Sequence, residues 1–126
     1  MLTRLFLGLL ALTFLAFGLW SLLDPAAMTA SMGVNPGGPN GVYEARGIYG
    51  GVSLGAGLLA AGGVFLPRLV RPALWFIAAY MGGYVFARII GLAVGDTPTS
   101  DFLMFTGFEA ACAVLAVVAL MNHPSE

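Results

Sequence analysis

Four long apolar stretches follow one another along the chain, separated by short segments that are polar or rich in glycine and proline. The first of them, residues 5–23, contains no charged side chain and directly follows Arg4. A helix needs about 20 apolar residues to cross the hydrocarbon core of a bilayer. The pattern therefore predicts one four-helix transmembrane domain over residues 1–126. The predicted spans are residues 4–23, 43–66, 72–95 and 98–121.

The first apolar stretch has a competing interpretation as a secretory signal peptide. The apolar region of a signal peptide is usually only about 7–15 residues long. Ala27 and Ala30 also make poor cleavage sites, because Pro25 and Met28 lie three positions before the plausible cuts. We therefore expect this stretch to be retained as the first span.

A short helix at the membrane interface is predicted directly after the first span. Asp24 is a favourable N-cap, and Pro25 suits the first position of a helix. The helix is expected to cover residues 26–32 and to end at Gly33, since glycine readily adopts the left-handed conformation that ends many helices.

Composition supports a chain that is embedded in a membrane. Hydrophobic residues make up 60% and charged residues 9% of the sequence, whereas a soluble domain carries about 25% charged residues. The predicted fold class is therefore an all-α integral membrane protein, a four-transmembrane-helix bundle with a short interfacial helix after the first span.

The same composition argues against several classes of function. The chain has no lysine and a net charge of -1, so nothing indicates nucleic-acid binding. Cys112 and His123 are its only cysteine and its only histidine. A disulfide, a cysteine-based metal cluster or a histidine-held haem within one chain is therefore not expected, and we predict no metal and no cofactor.

Charged residues of opposite sign flank the predicted spans on opposite sides of the membrane. The basic ones are Arg4, Arg68 and Arg71, and the acidic ones are Asp24, Asp96 and Asp101. Basic residues are enriched in cytoplasmic segments. This predicts a bacterial inner-membrane protein with both termini in the cytoplasm.

Small residues recur at four-residue intervals in two of the predicted spans, which places them on one face of each helix. One row is Gly47, Gly51 and Gly55, and the other is Ala79, Gly83, Ala87 and Gly91. Small side chains allow helix backbones to approach closely in lipid. These rows predict close packing within the bundle or, alternatively, a seam between two copies of the chain.

Two charged residues lie well inside predicted spans, where a charge is costly unless it is paired or hydrated. Arg88 and Glu109 each lie about 12 Å along a helix from an outer acidic residue, Asp96 and Asp101 respectively, at 1.5 Å per residue. We therefore expect the arginine and the glutamate at a similar depth, in the outer part of the membrane.

Polar side chains around these charges define the candidate site. Tyr80, Tyr84 and Arg88 share one face of the third span, and the stretch 43–51 brings further polar groups to the outer end of the second. The predicted site is a polar pocket near the outer leaflet. Its candidate binding residues are Glu44, Arg46, Tyr49, Tyr80, Tyr84, Arg88 and Glu109.

Several interpretations of this cluster remain open. Arg88–Glu109 and Arg46–Glu44 are candidate ion pairs that only fix helix register. Alternatively, the arginines hold the headgroup of a lipid-like or quinone-like molecule. A third interpretation is a small membrane enzyme with Glu109 as acid or base on an amphipathic substrate. The last is transport of an ion or a proton.

These residues also resemble a known family. The segment Glu44-x-Arg46-x-x-Tyr49-Gly50-Gly51, an arginine in the third span and a glutamate in the fourth are similar to the bacterial membrane family known as domain of unknown function 4345. The likeness covers nearly the whole chain, although Thr97 stands where the family has glycine. It implies a four-helix membrane protein and no activity. A more distant similarity is to DoxX-like four-helix proteins, some associated with membrane oxidoreductases.

The function predicted from these features is binding or an accessory role, and no residue is assigned to catalysis. The expected partners are membrane lipids, together with a larger membrane complex or further copies of the chain. The small membrane enzyme is the alternative.

Overall fold

A computed structural model describes residues 1–123 of the chain, so residues 124–126 of the predicted domain lie outside the described part. The described residues form helices joined by short turns, without β-strands. The α-helices are α1 (Leu2–Leu23), α2 (Pro25–Ser31), α3 (Pro39–Ala45), α4 (Ser53–Phe65), α5 (Val70–Val94) and α6 (Ser100–Met121). A π-helical segment, Arg46–Val52, joins α3 to α4, and a 3-10 turn, Pro67–Leu69, precedes α5.

The predicted fold class is confirmed, since four helical stretches are long and apolar enough to cross a membrane. These stretches are Leu2–Leu23, Pro39–Phe65, Pro67–Val94 and Ser100–Met121. Many of their large apolar side chains are exposed, including Leu12, Leu58, Phe86 and Val114. Such a surface suits lipid, whose acyl chains are as apolar as leucine.

The described chain consists of two compact units, the first covering Met1–Val70 and the second beginning at Arg71. In the first unit, α1 packs antiparallel to the π segment and α4. A Cβ atom added to Gly18 would lie 2.8 Å from the backbone nitrogen of Leu54, and one added to Gly57 would lie 2.9 Å from that of Leu15. Larger side chains at either glycine would force the two backbones apart, which is how small residues permit close helix packing in membranes.

The predicted glycine row does not make this close contact within the first unit. Cβ atoms added to Gly47, Gly51 and Gly55 would meet nothing within 4 Å, so this row faces away from α1. Gly50 and Gly57 face α1 instead. Several glycine rows are available in this glycine-rich stretch, and the row that packs is set by the rotation of the helix, which the spacing alone does not determine.

The short helix after the first span is confirmed, and its start is capped as expected. An Asp24 carboxylate oxygen accepts a hydrogen bond from the backbone N–H of Ala27 at 3.0 Å, and Pro25 is the first helical residue. Gly33 follows the helix with φ of 69°, the left-handed conformation that glycine adopts without a steric penalty.

In the second unit, α5 and α6 are joined by residues 95–99. Gly95 has φ of 100° and the backbone N–H of Asp96 donates to the carbonyl of Gly91 at 2.9 Å, which ends α5. The hydroxyl of Thr99 caps α6 by accepting from the backbone N–H of Phe102 at 3.5 Å. The helix consequently begins at Ser100 and not at residue 98.

Arg71, in the first turn of α5, forms hydrogen bonds with the C-terminal end of α6. Its guanidinium Nη1 donates to the carbonyl of Leu120 at 3.5 Å and also to the carbonyl of His123. The last carbonyls of a helix have no partner within the helix. The start of α5 therefore lies beside the end of α6, so the two helices run antiparallel.

Candidate functional site

An ion pair between α5 and α6 is the centre of the candidate site. The Nη2 of Arg88 lies 3.1 Å from Oε1 of Glu109, and its Nε lies 3.4 Å from Oε2. The guanidinium thus meets the carboxylate through two roughly parallel hydrogen bonds, the arrangement in which arginine binds carboxylates most strongly. The Glu109 side chain is 11% exposed and that of Arg88 is 32% exposed.

Two aromatic rings flank the Arg88 guanidinium. Its central carbon lies 5.3 Å from the ring centroid of Tyr84 and 5.2 Å from that of Phe102. Both distances fall within the range of cation–π attraction, which strengthens when the cation is removed from water. We refer to Tyr84, Arg88, Phe102 and Glu109 as the Arg88 cluster.

The spacing of residues along each helix explains why these four side chains meet. Tyr84 precedes Arg88 by one turn of α5, and Phe102 precedes Glu109 by two turns of α6, so each pair shares a helix face. The hydroxyl of Thr106, between Phe102 and Glu109, donates to the carbonyl of Phe102 at 3.0 Å and is satisfied within its own helix. The polar chemistry of this face is therefore carried by the ion pair.

An aromatic row leads along α5 to the cluster. The rings of Phe76 and Tyr80 are 5.5 Å apart, and those of Tyr80 and Tyr84 are 5.2 Å apart with an interplanar angle of 61°. Edge-to-face and offset rings at such separations attract one another. Tyr80, a predicted binding residue, thus contacts the Arg88 cluster through Tyr84.

The cluster lies well inside the apolar helices. At 1.5 Å per residue, Arg88 is about 9 Å from the end of α5 at Val94, and Glu109 is about 14 Å from the start of α6 at Ser100. Direct contact between the two side chains confirms the prediction that they share a depth. The pair has no net charge, which is what allows two charges to remain in a medium of low dielectric constant.

Arg88 nevertheless has more donors than Glu109 uses. A guanidinium has five N–H groups, and the hydrogen bonds of Arg88 within the described residues use only Nε and Nη2. Its Nη1 therefore has no acceptor among residues 1–123. Hydrocarbon offers no acceptor either, and a polar group left unpaired there costs several kcal/mol.

The remaining predicted site residues lie in the first unit. Arg46 opens the π segment, and its Nη1 donates to the carbonyl of Leu22 at the end of α1. Among the described residues Arg46 forms no ion pair with the Glu44 side chain, so the candidate Arg46–Glu44 pair is not present. Arg46 turns instead to the last carbonyls of α1, which lack partners within their own helix.

Tyr49 lies in the middle of the π segment and is only partly exposed. Its ring meets that of Phe17 on α1 edge to face, with centroids 6.2 Å apart and an interplanar angle of 80°. The π segment therefore contacts α1 through a polar group, Arg46, and through an aromatic one.

The predicted site residues thus form two groups, one in each compact unit. The second unit brings together Tyr80, Tyr84, Arg88 and Glu109, whereas the first carries Glu44, Arg46 and Tyr49. Sequence reasoning missed Phe102, although its position two turns before Glu109 on one helix face was a usable signal.

Sequence reasoning also missed the π segment, a rare conformation that occurs frequently at functional sites. Three of its seven residues are Gly47, Gly50 and Gly51, and glycine lowers the stability of an ordinary α-helix. Glycine content was visible in the sequence, but by itself it does not distinguish a π-helix from an α-helix.

Comparison with known proteins identifies the family and adds no activity. Residues 2–120 match the model of the family described as Domain of unknown function (DUF4345). The chain belongs to this family, as its resemblance predicted. Neither the curated proteins nor the solved structures contain a match.

Proposed function

We propose that this member of the DUF4345 family binds the polar headgroup of an amphipathic molecule, lipid-like or quinone-like, at the Arg88 cluster. In this proposal the protein is a binding or accessory component of the membrane and catalyses no reaction itself. The family description gives no activity, so the proposal rests on the geometry of the cluster.

The observation that carries the proposal is the Nη1 group of Arg88, which has no acceptor among the described residues while the side chain is 32% exposed. Within the apolar part of a membrane, a polar group of this kind needs a partner. The headgroup of a molecule dissolved in the same leaflet is a partner that lipid can deliver laterally. Its tail would lie along the exposed apolar side chains of α5 and α6.

The enzymatic alternative assigns Glu109 the role of acid or base. Both oxygens of this carboxylate accept hydrogen bonds from Arg88. Both acceptor atoms of Glu109 are therefore already engaged by the guanidinium. This arrangement favours a residue that orients and neutralises Arg88 over one that exchanges protons with a substrate.

The protein's membrane and orientation belong to the same proposal. We place it in the bacterial inner membrane with both termini cytoplasmic. Arg68 and Arg71 lie in and just after the turn before α5, and Asp96 lies in the turn that follows it. This separation of charges supports the orientation through the enrichment of basic residues on the cytoplasmic side.

Native mass spectrometry of protein released from membranes in mild detergent tests the binding role. Wild-type protein is expected to carry an amphipathic molecule, and the Arg88→Met variant is expected to lose it. Asp101→Asn is the matched control, because it removes a charge from exposed Asp101 outside the cluster. Equal retention of bound molecules by the wild type and Arg88→Met would contradict the proposal.

A further inference from the structure

We infer that the Arg88 cluster selects an uncharged headgroup with a carbonyl acceptor over an anionic headgroup. This inference rests on the proposed binding function and narrows its ligand class. A quinone ring and the ester groups of an uncharged glycerolipid both offer the required carbonyl oxygen. The selecting element is Glu109, which already neutralises the only charge that could hold an anion in this cluster.

The charge balance of the cluster disfavours an anionic headgroup. Arg88 and Glu109 form a pair without net charge, and the carboxylate sits directly on the guanidinium at 3.1 Å. A bound phosphate would place a second anion on the other edge of the same guanidinium. The cluster would then hold one cation and at least two negative charges, in a medium where repulsion between like charges is poorly screened.

The N–H groups of Arg88 that do not point to Glu109 suit a carbonyl oxygen. The Nε–H and one Nη2–H of Arg88 point to Glu109, which leaves the N–H groups on Nη1 and the second one on Nη2. A carbonyl oxygen has two lone pairs and carries no charge. It can satisfy donors on this edge of the guanidinium without disturbing the neutral pair.

The surroundings of the guanidinium also disfavour an anionic headgroup. Tyr84 and Phe102 lie against it, at 5.3 and 5.2 Å from its central carbon. Lysine is absent from the whole chain, so no lysine is available to balance an additional anion. Arg71, the other arginine of the second unit, donates to carbonyls at the far end of α6. Within the second unit, an anion at the cluster would thus depend on Arg88, whose charge Glu109 has already matched.

A competition experiment tests the selection. Purified full-length protein in an uncharged detergent is offered equal amounts of three probes, and native mass spectrometry measures the occupancy of each. The probes are a decyl-substituted benzoquinone, dioctanoylglycerol and dioctanoyl phosphatidic acid, the last two differing only in the phosphate. Wild-type protein should prefer the better uncharged probe over phosphatidic acid by about tenfold or more. The ranking of the two uncharged probes tells which carbonyl source fits.

Glu109→Gln then reverses the preference. The amide still offers an oxygen to Arg88 but leaves the guanidinium with an unmatched positive charge, so phosphatidic acid should become the preferred probe. Asp101→Asn removes the same charge elsewhere on α6 and should keep the wild-type ranking. Folding of each variant is checked by circular dichroism and size-exclusion chromatography.

The outcomes separate this inference from the function on which it rests. Preference of the wild type for phosphatidic acid, lost in Arg88→Met, would overturn the selection while leaving the binding role intact. An unchanged ranking in a folded Glu109→Gln variant would overturn it too. Binding of all three probes that is indifferent to Arg88→Met would overturn the proposed function itself. Should Glu109→Gln fail to fold, the wild-type ranking decides alone.

Discussion

Removing either partner of the Arg88–Glu109 pair should destabilise the protein about as much as removing both partners together. The proposed perturbations are Arg88→Met, Glu109→Gln and the double variant. At the observed 3.1 Å, the attraction between unit charges is about 5 kcal/mol for an effective dielectric constant of about 20. Desolvation offsets much of that attraction, so the net effect is smaller.

The two single variants are not equivalent. Glu109→Gln leaves Arg88 charged and without a counterion, and should cost about 3 kcal/mol, the lower end for a broken buried pair because Arg88 is 32% exposed. Arg88→Met should cost less, about 2 kcal/mol, since Glu109 can take up a proton and become neutral. The double variant has no charge left to bury and should cost about 2–3 kcal/mol in total, which gives a coupling energy of about 2–3 kcal/mol.

The assay is equilibrium unfolding in mixed micelles with an increasing fraction of denaturing detergent, followed by far-ultraviolet circular dichroism. Asp101→Asn serves as the control and should change the free energy of unfolding by less than about 0.5 kcal/mol. Costs of Arg88→Met and Glu109→Gln that simply add in the double variant, with a coupling below about 0.5 kcal/mol, would refute the conclusion that the pair joins α5 to α6.

Three further predictions concern the first unit and the orientation. Gly57→Ala should cost about 1–3 kcal/mol, because its methyl group would lie 2.9 Å from the backbone of α1. The methyl group of Gly55→Ala would point into open space, so this variant should stabilise the helix by about 0.5–1 kcal/mol. Equal unfolding midpoints for Gly57→Ala and Gly55→Ala would contradict the packing of α1 on α4. Arg46→Met removes the hydrogen bond to the end of α1 and should lower the free energy of unfolding by about 1 kcal/mol. Arg68→Met, at an exposed arginine, should change it by less than about 0.5 kcal/mol. Equal effects of the two variants in unfolding measurements would contradict a stabilising role for the Arg46 hydrogen bond. In a background without the native cysteine, a cysteine introduced at Asp96 should react with an impermeant maleimide in intact cells, and one at Arg68 only after permeabilisation; the reverse labelling would overturn the orientation.

The four spanning helices were predictable because hydropathy is a property of composition averaged over about 20 residues. The short helix was also predictable, because its start depends on a local capping group, Asp24. The start of α6 lies two residues after the predicted residue 98, because Thr97 and Thr99 lie in one turn and either hydroxyl is a suitable cap.

Pairing of Arg88 with Glu109 was predictable because two opposite charges at equal depth in lipid gain from meeting. Phe102 was missed because it is one of nine phenylalanines, and only its position two turns before Glu109 distinguishes it in the sequence. Arg46 was a candidate partner of Glu44, but in the structure it donates to the carbonyl of Leu22 at the end of α1. Sequence spacing gives the depth and the face of a side chain and leaves open which backbone groups require partners.

The π segment shows a different limit of the sequence. Its seven residues are too few to establish a period. The outward row of Gly47, Gly51 and Gly55 stays a predicted seam for another polypeptide.

Nuclear magnetic resonance of the arginine side chains can show whether Arg88 donates hydrogen bonds to the carbonyl group of a bound molecule. The chain has five arginines and no lysine, so a sample labelled with ¹⁵N arginine gives few guanidinium signals, and Arg88→Met assigns the one of interest. The protein is placed in nanodiscs with the preferred probe, labelled with ¹³C at its carbonyl. We expect magnetisation transfer between that carbonyl carbon and the Nη nitrogens of Arg88. A bound probe whose carbonyl carbon shows no transfer to these nitrogens would contradict the proposed binding at Arg88.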